Sequence, residues 1–214
     1  MEVFSLDSPR IEKIFVHVYK EREDTHGVYH PIEPLLPPEK RYLLELIEEK
    51  LAYLLEEEDL DLSQNQAEAL EKMFDKIVKV NGSNPSVNSK KNYFIFVDRI
   101  TYESLKYEFL REKNGFSVIE AFIRDPYIED VSCDGIGPIF VEHKVFKSLE
   151  STVVFKTVKE LNEFTAKLCS LAGRDVNPRR PIIDATLPDG SRLNVVYGED
   201  VSRKGSNFND KKIF

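Results

Sequence analysis

The sequence predicts an α+β protein: an N-terminal helical bundle followed by a small sheet with one helix packed on it. Apolar residues recur at spacings of three and four through much of the first half, the period of amphipathic helices. After Gly115 the texture changes to short β-rich runs separated by turn residues. A chain of 214 residues, 41% apolar and 32% charged, has room for one large core or two small ones. The change of texture sets the expected boundary, with an acidic, mainly helical subdomain over 1–113 and an α/β subdomain over 114–214. No repeat of 20 to 50 residues is visible.

Taken in order, Ile14, Val16 and Val18 alternate with polar residues and predict a short strand. The prolines at 31, 34, 37 and 38 exclude a helix through that stretch. Pro38 then suits the first turn of a helix whose stripe is Leu43, Leu44, Ile47, Leu51, Leu54 and Leu55. That helix runs into Glu56, Glu57, Glu58 and Asp59, carboxylates that oppose the helix dipole. Ser63-x-x-Gln66 reads as a capping box opening a second helix, with Leu70, Met73, Phe74, Ile77 and Val78 inward. Residues 81–89 are a loop by composition. A third helix is expected within 91–113, with Ile100, Leu105, Phe109 and Leu110 inward, although Tyr93 to Val97 also suits a strand. Strands follow at 128–132, 139–142 and 153–155. Thr157-x-x-Glu160 caps a helix striped by Leu161, Phe164, Leu168 and Leu171, which Gly173 ends. A turn over 187–190 leads to a strand from Arg192 to Tyr197, with Leu193, Val195 and Tyr197 on one face and Arg192 on the other.

Charge narrows the functions. Acidic residues number 38 and basic residues 30, a net charge of −8, which argues against a general nucleic-acid binder. Residues 1–70 carry 17 acids against 7 bases, and residues 161–214 carry 7 against 9. A phosphate-facing surface is therefore expected near the C-terminal side, and a partner-facing one on the acidic side. No apolar run approaches the ~18 residues of a membrane span. The first residues lack the features of a secretory signal, so the expected compartment is the cytoplasm. No glycine precedes a lysine, which excludes a Gly-Lys-Ser/Thr phosphate loop. No His or Cys spacing suggests a metal site. Cys133 and Cys169 read as small buried hydrophobes, and His143 as a surface or loop residue. Glu129 and Asp130, adjacent on a strand, are expected on opposite faces.

Three stretches form a family pattern. The first runs from Gly115-Phe116-Ser117-Val118-Ile119-Glu120 through Ile123-Arg124-Asp125-Pro126 to Cys133-Asp134-Gly135. The second is Gly173-Arg174-Asp175-Val176-Asn177 with Pro181-Ile182-Ile183-Asp184-Ala185-Thr186-Leu187-Pro188-Asp189-Gly190-Ser191-Arg192. The third is Tyr197-Gly198-Glu199-Asp200-Val201-Ser202-Arg203-Lys204-Gly205-Ser206-Asn207-Phe208. Together they resemble the N-terminal region of the type II/IV secretion-system ATPase superfamily, above all its archaeal branch, the assembly motors of archaella and type IV pili. Glu33-Pro34-Leu35-Leu36 before an acidic helix is similar to that branch's N-terminal extension.

The resemblance implies a regulatory and assembly domain of a hexameric, cytoplasmic motor, attached to the membrane through its partners. The RecA-like core that holds the phosphate loop is absent from this sequence, so the chain is expected to be inactive alone. ATP and Mg belong to the full-length protein, with neither expected on this chain by itself. Implied partners are the chain's own core, neighbouring subunits, a membrane platform protein and cytoplasmic accessory proteins, with no nucleic acid. The implied nucleotide-facing residues are Arg192, Arg203, Lys204 and Arg174, with Arg179 and Arg180 behind them. Glu56, Glu57, Glu58 and Asp59 are the expected docking surface. The competing expectation is a stand-alone interaction module that meets no nucleotide.

Overall fold

The computed structural model describes residues 2–6, 14–20, 26–57, 66–81, 86–87, 94–198 and 204–212, with only the backbone described at 2–6, 55–57, 66 and 86–87. It divides into two compact units. One unit takes the first strand, residues 14–32 and everything from 117 on. The other takes residues 33–116. This division differs from a cut at 113/114. A break does fall near it, but the strands Glu2–Leu6, Ile14–Tyr19 and Gly27–Ile32 belong with the later sheet because their backbone groups pair there.

The first unit is built on a nine-stranded sheet, so the expected small sheet is corrected to a dominant one. Its strands are β1 (Glu2–Leu6), β2 (Ile14–Tyr19), β3 (Gly27–Ile32), then β7 (Ile128–Cys133), β8 (Gly137–His143), β9 (Lys147–Phe155), β10 (Ile182–Thr186), β11 (Arg192–Val196) and β12 (Asn207–Lys211). The order across the sheet is β1-β2-β3-β9-β8-β7-β12-β11-β10. Every pair is antiparallel except β3 with β9, which run parallel. Period-2 patterning gives each strand a buried and an open face. Ile14, Val16 and Val18, Val131 and Cys133, Ile139 and Val141, Leu193 and Val195, and Phe208 point inward. Helix α5 (Val158–Leu171) covers part of that face, its Phe164 ring 5.2 Å from Phe155 and 5.4 Å from Phe208. The short helix α4 (Glu120–Arg124) brings Phe122 to 5.2 Å from Tyr29.

Two details overturn the strand reading. A register shift between Ile128 and Asp130 leaves Ile128 and Val131 both buried. The bulge therefore turns Glu129 and Asp130 to the same, open side, where simple alternation would have separated them. Tyr197 lies beyond the end of β11, so Leu193 and Val195 alone form the inward pair.

The second unit carries the helices. These are α1 (Tyr42–Glu57), α2 (Gln66–Ile77) and α3 (Arg99–Asn114), with a three-stranded sheet of β4 (Val78–Val80), β5 (Ser86–Val87) and β6 (Ile95–Val97) in the order β4-β6-β5. Leu43, Ile47 and Leu51 of α1 meet Met73, Phe74 and Ile77 of α2 and Leu105 and Phe109 of α3 in one core. In the stretch that suited a third helix, or a strand over Tyr93 to Val97, the structure has both, β6 followed by α3. Asp98 separates them by capping α3: its side chain accepts from Thr101 N at 2.9 Å and from the Thr101 hydroxyl at 2.6 Å. The new helix start rotates Ile100 outward, where it is 77% exposed rather than inward as expected. The capping box at Ser63 lies outside the described residues. Glu33-Pro34-Leu35-Leu36 is fastened to α3, with Glu33 accepting from Arg111 Nη1 at 3.1 Å and from the Tyr107 hydroxyl, and Glu108 accepting from Leu36 N at 2.9 Å.

The cap gives a direct test. The Thr101 hydrogen bonds hold the Asp98 carboxyl down at about 2. Asp98→Ala is expected to lower stability by about 1 kcal/mol in denaturant titrations. The wild-type advantage should be present above the ordinary carboxylate pKa and vanish as pH falls through about 2.

Candidate functional site

The Leu187–Arg192 turn is closed by its own backbone. Leu187 N donates to Ser191 O at 2.9 Å, and Gly190 N to Leu187 O at 2.9 Å. Asp189 accepts from Ser191 N at 3.2 Å and from the Ser191 hydroxyl at 2.8 Å, an Asx-type closure that frees Arg192 to begin β11. Arg192 lies on the open face. Its guanidinium forks onto Asp184 of β10, Nε to Oδ1 at 3.0 Å and Nη2 to Oδ2 at 2.6 Å. The hydrogen bonds push the Asp184 carboxyl below its usual range and the guanidinium above its own. The pair is exposed, so it orients Arg192 more than it stabilises the fold.

The second basic position is set by close backbone packing. Gly135 in the β7–β8 turn has φ +112°, and a Cβ there would stand 2.4 Å from Lys204 Cβ and 2.5 Å from Lys204 O. Only glycine admits that approach. Ile136 N donates to Lys204 O at 3.0 Å, and the Cys133 thiol reaches Gly135 O at 3.2 Å. Next in the chain, the buried Ser206 hydroxyl accepts from Gly198 N at 2.9 Å and donates to Asn162 of α5 at 2.5 Å. Lys204 is thus an exposed cation on a turn fixed from both sides.

The expected residues do not converge. β11 pairs with β12 so that Arg192 faces Lys211 while Val196 faces Asn207. Arg192 and Lys204 therefore lie at opposite ends of β11, about 14–17 Å apart along the strand. Arg174 is exposed beyond the C-terminal end of α5, where its N–H bonds Cys169 O at 2.9 Å. Arg179 and Arg180 are exposed on the same loop. Arg203 lies outside the described residues, as do Glu58 and Asp59. Glu56 and Glu57 end α1. The start of α5 is capped by side chains. Thr157 Oγ1 already accepts from Glu160 N at 3.2 Å, and Glu160 Oε2 from Lys156 N at 3.1 Å.

The sequence reading missed a buried polar cluster on the inner face. Asp125 accepts from the Tyr29 hydroxyl at 2.9 Å and from Tyr127 N at 2.8 Å, with His143 Nε2 at 3.9 Å. His143 is buried on β8, which corrects its reading as a surface residue. Its Nδ1 accepts from Val145 N at 3.1 Å and Phe146 N at 3.2 Å, so hydrogen bonding assigns the ring proton to Nε2, facing Asp125. Burial pushes its pKa down against the pull of Asp125. Lys212 Nζ donates to Phe122 O at 3.1 Å and Asp125 O at 2.5 Å, closing the end of α4. Asp210 is buried, and neither carboxylate oxygen has a hydrogen-bond partner among the described residues, since the nearby Ser191 hydroxyl donates to Asp189. Burial raises its pKa to about 6. The cluster locks α4 onto the sheet. Its signal in the sequence was faint: an Asp-Pro pair and a lysine, 87 positions apart at Asp125 and Lys212.

No family model matches the chain. It is 32% identical over 210 residues to the uncharacterized protein MJ0900 of Methanocaldococcus jannaschii, a match covering 94% of this chain and 38% of that protein. It is 37% identical over 107 residues to the uncharacterized protein MJ1288 of the same organism, covering 50% of this chain and 42% of that one. The chain thus spans about two fifths of the length of these relatives. Among solved structures, the VirB11 ATPase of the Brucella suis type IV secretion system, in complex with sulphate, is similar over 45% of this chain and 28% of that one. The TM-score is 0.36 and the identity 19%. Among the described residues no helix is long and apolar enough to cross a membrane, and no group of three or more His, Cys, Asp or Glu could hold a metal ion.

Two outcomes are expected. Gly135→Ala should cost more than the ~1 kcal/mol of an ordinary Gly-to-Ala strain and raise the hydrogen-exchange rate of Ile136 N, whose bond to Lys204 O it disturbs. Asp210→Asn should stabilise the protein at pH 8 by about 3 kcal/mol at most. A carboxyl raised to about 6 favours the fold at low pH and loses that contribution as pH rises through about 6. Thermal melts from pH 4 to 8 would show the wild type losing stability relative to the variant up to about pH 6, with a constant gap above it.

Proposed function

We propose that this chain is the N-terminal regulatory and assembly region of a hexameric secretion-superfamily ATPase that powers archaellum or type IV pilus assembly. In this reading it covers nucleotide bound by a motor core and docks partner proteins at the membrane. The observation that carries the reading is the clamped basic turn. A lysine on a backbone held by Gly135, Ile136 and Ser206 loses little freedom on meeting a polyphosphate. The three stretches of family-like sequence support it as well, and their described residues from 117 on lie in one sheet-based unit.

The division of labour follows from what the chain offers. In this reading the region contributes side-chain cations, and the core would supply the phosphate cradle and Mg. ATP held there would provide the free energy for domain movement. Lys204 and the adjacent Arg203 would face the nucleotide. Arg192 would do so only by exchanging Asp184 for phosphate, and Arg174 would act from a different end of α5. Neighbouring subunits, a platform protein and accessory proteins are the proposed partners, with the Glu56 and Glu57 end of α1 as one contact. Peripheral attachment on the cytoplasmic side of the membrane completes the reading. The occupied fork of Arg192 favours the competing reading, an interaction module without nucleotide contact.

The test joins this chain to the core that the reading requires downstream in its gene. In that protein Lys204→Ala and Arg203→Ala should each weaken nucleotide affinity by about tenfold, the loss of one charge-assisted contact. A downstream sequence without a phosphate loop, or unchanged affinity in both variants, sinks the proposal.

A further inference from the structure

The open face of the nine-stranded sheet carries an apolar stripe that nothing in the first unit's folding requires. Phe15 of β2 and Ile32 of β3 are cross-strand partners, 41% and 43% exposed. His30 hydrogen-bonds Thr152 of β9 at 2.8 Å, and the same parallel register carried to the strand ends sets Ile32 beside Val154, 42% exposed. Val154 in turn faces Pro138 of β8, two residues from Phe140, 40% exposed. The stripe thus crosses four adjacent strands, β2-β3-β9-β8. A contiguous exposed apolar patch of this kind marks a docking surface more often than an isolated exposed residue does.

Its rim is acidic. Phe140 borders a pocket of 260 Å³ lined also by His26, Ser132, Glu142, Ser148 and Glu150. Glu142 and Glu150 stand on neighbouring strands, opposite Ser148 and Phe140 respectively. The Glu142 carboxylate accepts from the Ser148 hydroxyl. Asp130 faces Glu142 from β7, and the bulge adds Glu129 on the same side. Asp130 accepts from Asn209 at 3.0 Å through Oδ2, while its buried Oδ1 has no partner among the described residues. The ionisable positions of β8 and β9 that alternate outward with Phe140 and Ser148 are the carboxylates Glu142 and Glu150, while the exposed Lys147 at the start of β9 pairs with His143 on the alternate positions. Among the described residues, further cations on this side stand beyond β7: Lys211 opposite Asp130, and Arg192 engaged by Asp184.

We infer that this face receives an amphipathic segment of a partner protein whose apolar side chains lie on the Phe15–Ile32–Val154 stripe. An arginine or lysine of the segment enters the Phe140, Glu142 and Glu150 pocket. Carboxylates beside a phenyl ring match a guanidinium in two ways, by charge-assisted hydrogen bonds at its edge and by stacking on its face. The segment fits in length. Four strands about 4.8 Å apart span about 14 Å. A helix of roughly 16 residues, about 24 Å long, covers them and the rim.

The probe is a synthetic helical peptide of that length with leucines on one face and arginines flanking it, paired with a version carrying glutamates for the arginines. Fluorescence anisotropy should show the arginine peptide binding at least about tenfold tighter than the glutamate peptide. The double variant Glu142→Lys, Glu150→Lys and the variant Phe140→Ser should each weaken the arginine peptide by about tenfold. Glu45→Lys with Glu49→Lys on α1 should leave its affinity unchanged. Circular dichroism on each variant confirms a native fold before binding is read. Equal binding of the two peptides, no binding, or affinity lost through α1 rather than the sheet would overturn the inference. So would concentration-dependent self-association that Phe140→Ser abolishes, since the occupant would then be a second copy.

Discussion

The parallel pairing of β3 with β9 is the join on which the first unit's sheet depends. Gly27, Val28 and Tyr29 lie beside Leu149, Glu150 and Ser151. A parallel join needs a long crossover, and here the chain between the two strands includes residues 33–116 of the second unit and two more strands of the sheet, β7 and β8. The join also explains Gly27. A Cβ there would stand 2.4 Å from a methyl group of the buried Leu149, so a bare backbone lets the two strands meet. Tyr29 then reaches inward to Asp125, which ties the N-terminal hairpin to the end of α4.

The two faces of this sheet do different physical work. The inner face buries aromatic rings between strands and α5, and closes at one end with Asp125, His143 and Lys212. Burial makes each polar group there demand a partner, and most find one in a backbone carbonyl or N–H. Asp210 is an exception among the described residues and carries the cost as a raised pKa. The outer face is more open to water. Its charges pair locally, as Arg192 does with Asp184, or stand in water around an apolar stripe.

Much of the local structure was legible in the sequence, and the reasons are particular. The stripe Leu161, Phe164 and Leu168, with Thr157-x-x-Glu160 ahead of it, forms α5 with that cap, because helical spacing and capping are short-range effects. Gly173 follows that helix at φ +66°, where a side chain would be strained. The reading failed wherever a distant strand intervened. Tyr93 to Val97 suited helix or strand alike until β4 and β5 paired with Ile95–Val97. His143 looked exposed because nothing local showed that β8 would turn it under Tyr127 and Phe146.

The sequence alone determined the apolar stripes of α1, α2 and α5, the alternation of Ile14, Val16 and Val18 in β2, and the glycine that follows α5, since these depend on neighbours within a few positions. It also carried the family-like pattern and the acidic balance of its first third. Only the tertiary structure decided that the first three strands extend the C-terminal sheet, that Glu129 and Asp130 share a side, and that Arg192 and Lys204 stand at opposite ends of β11. Those are matters of register between strands remote in sequence. A shift of one residue exchanges every inward side chain for an outward one, and no local pattern fixes it before the strands meet.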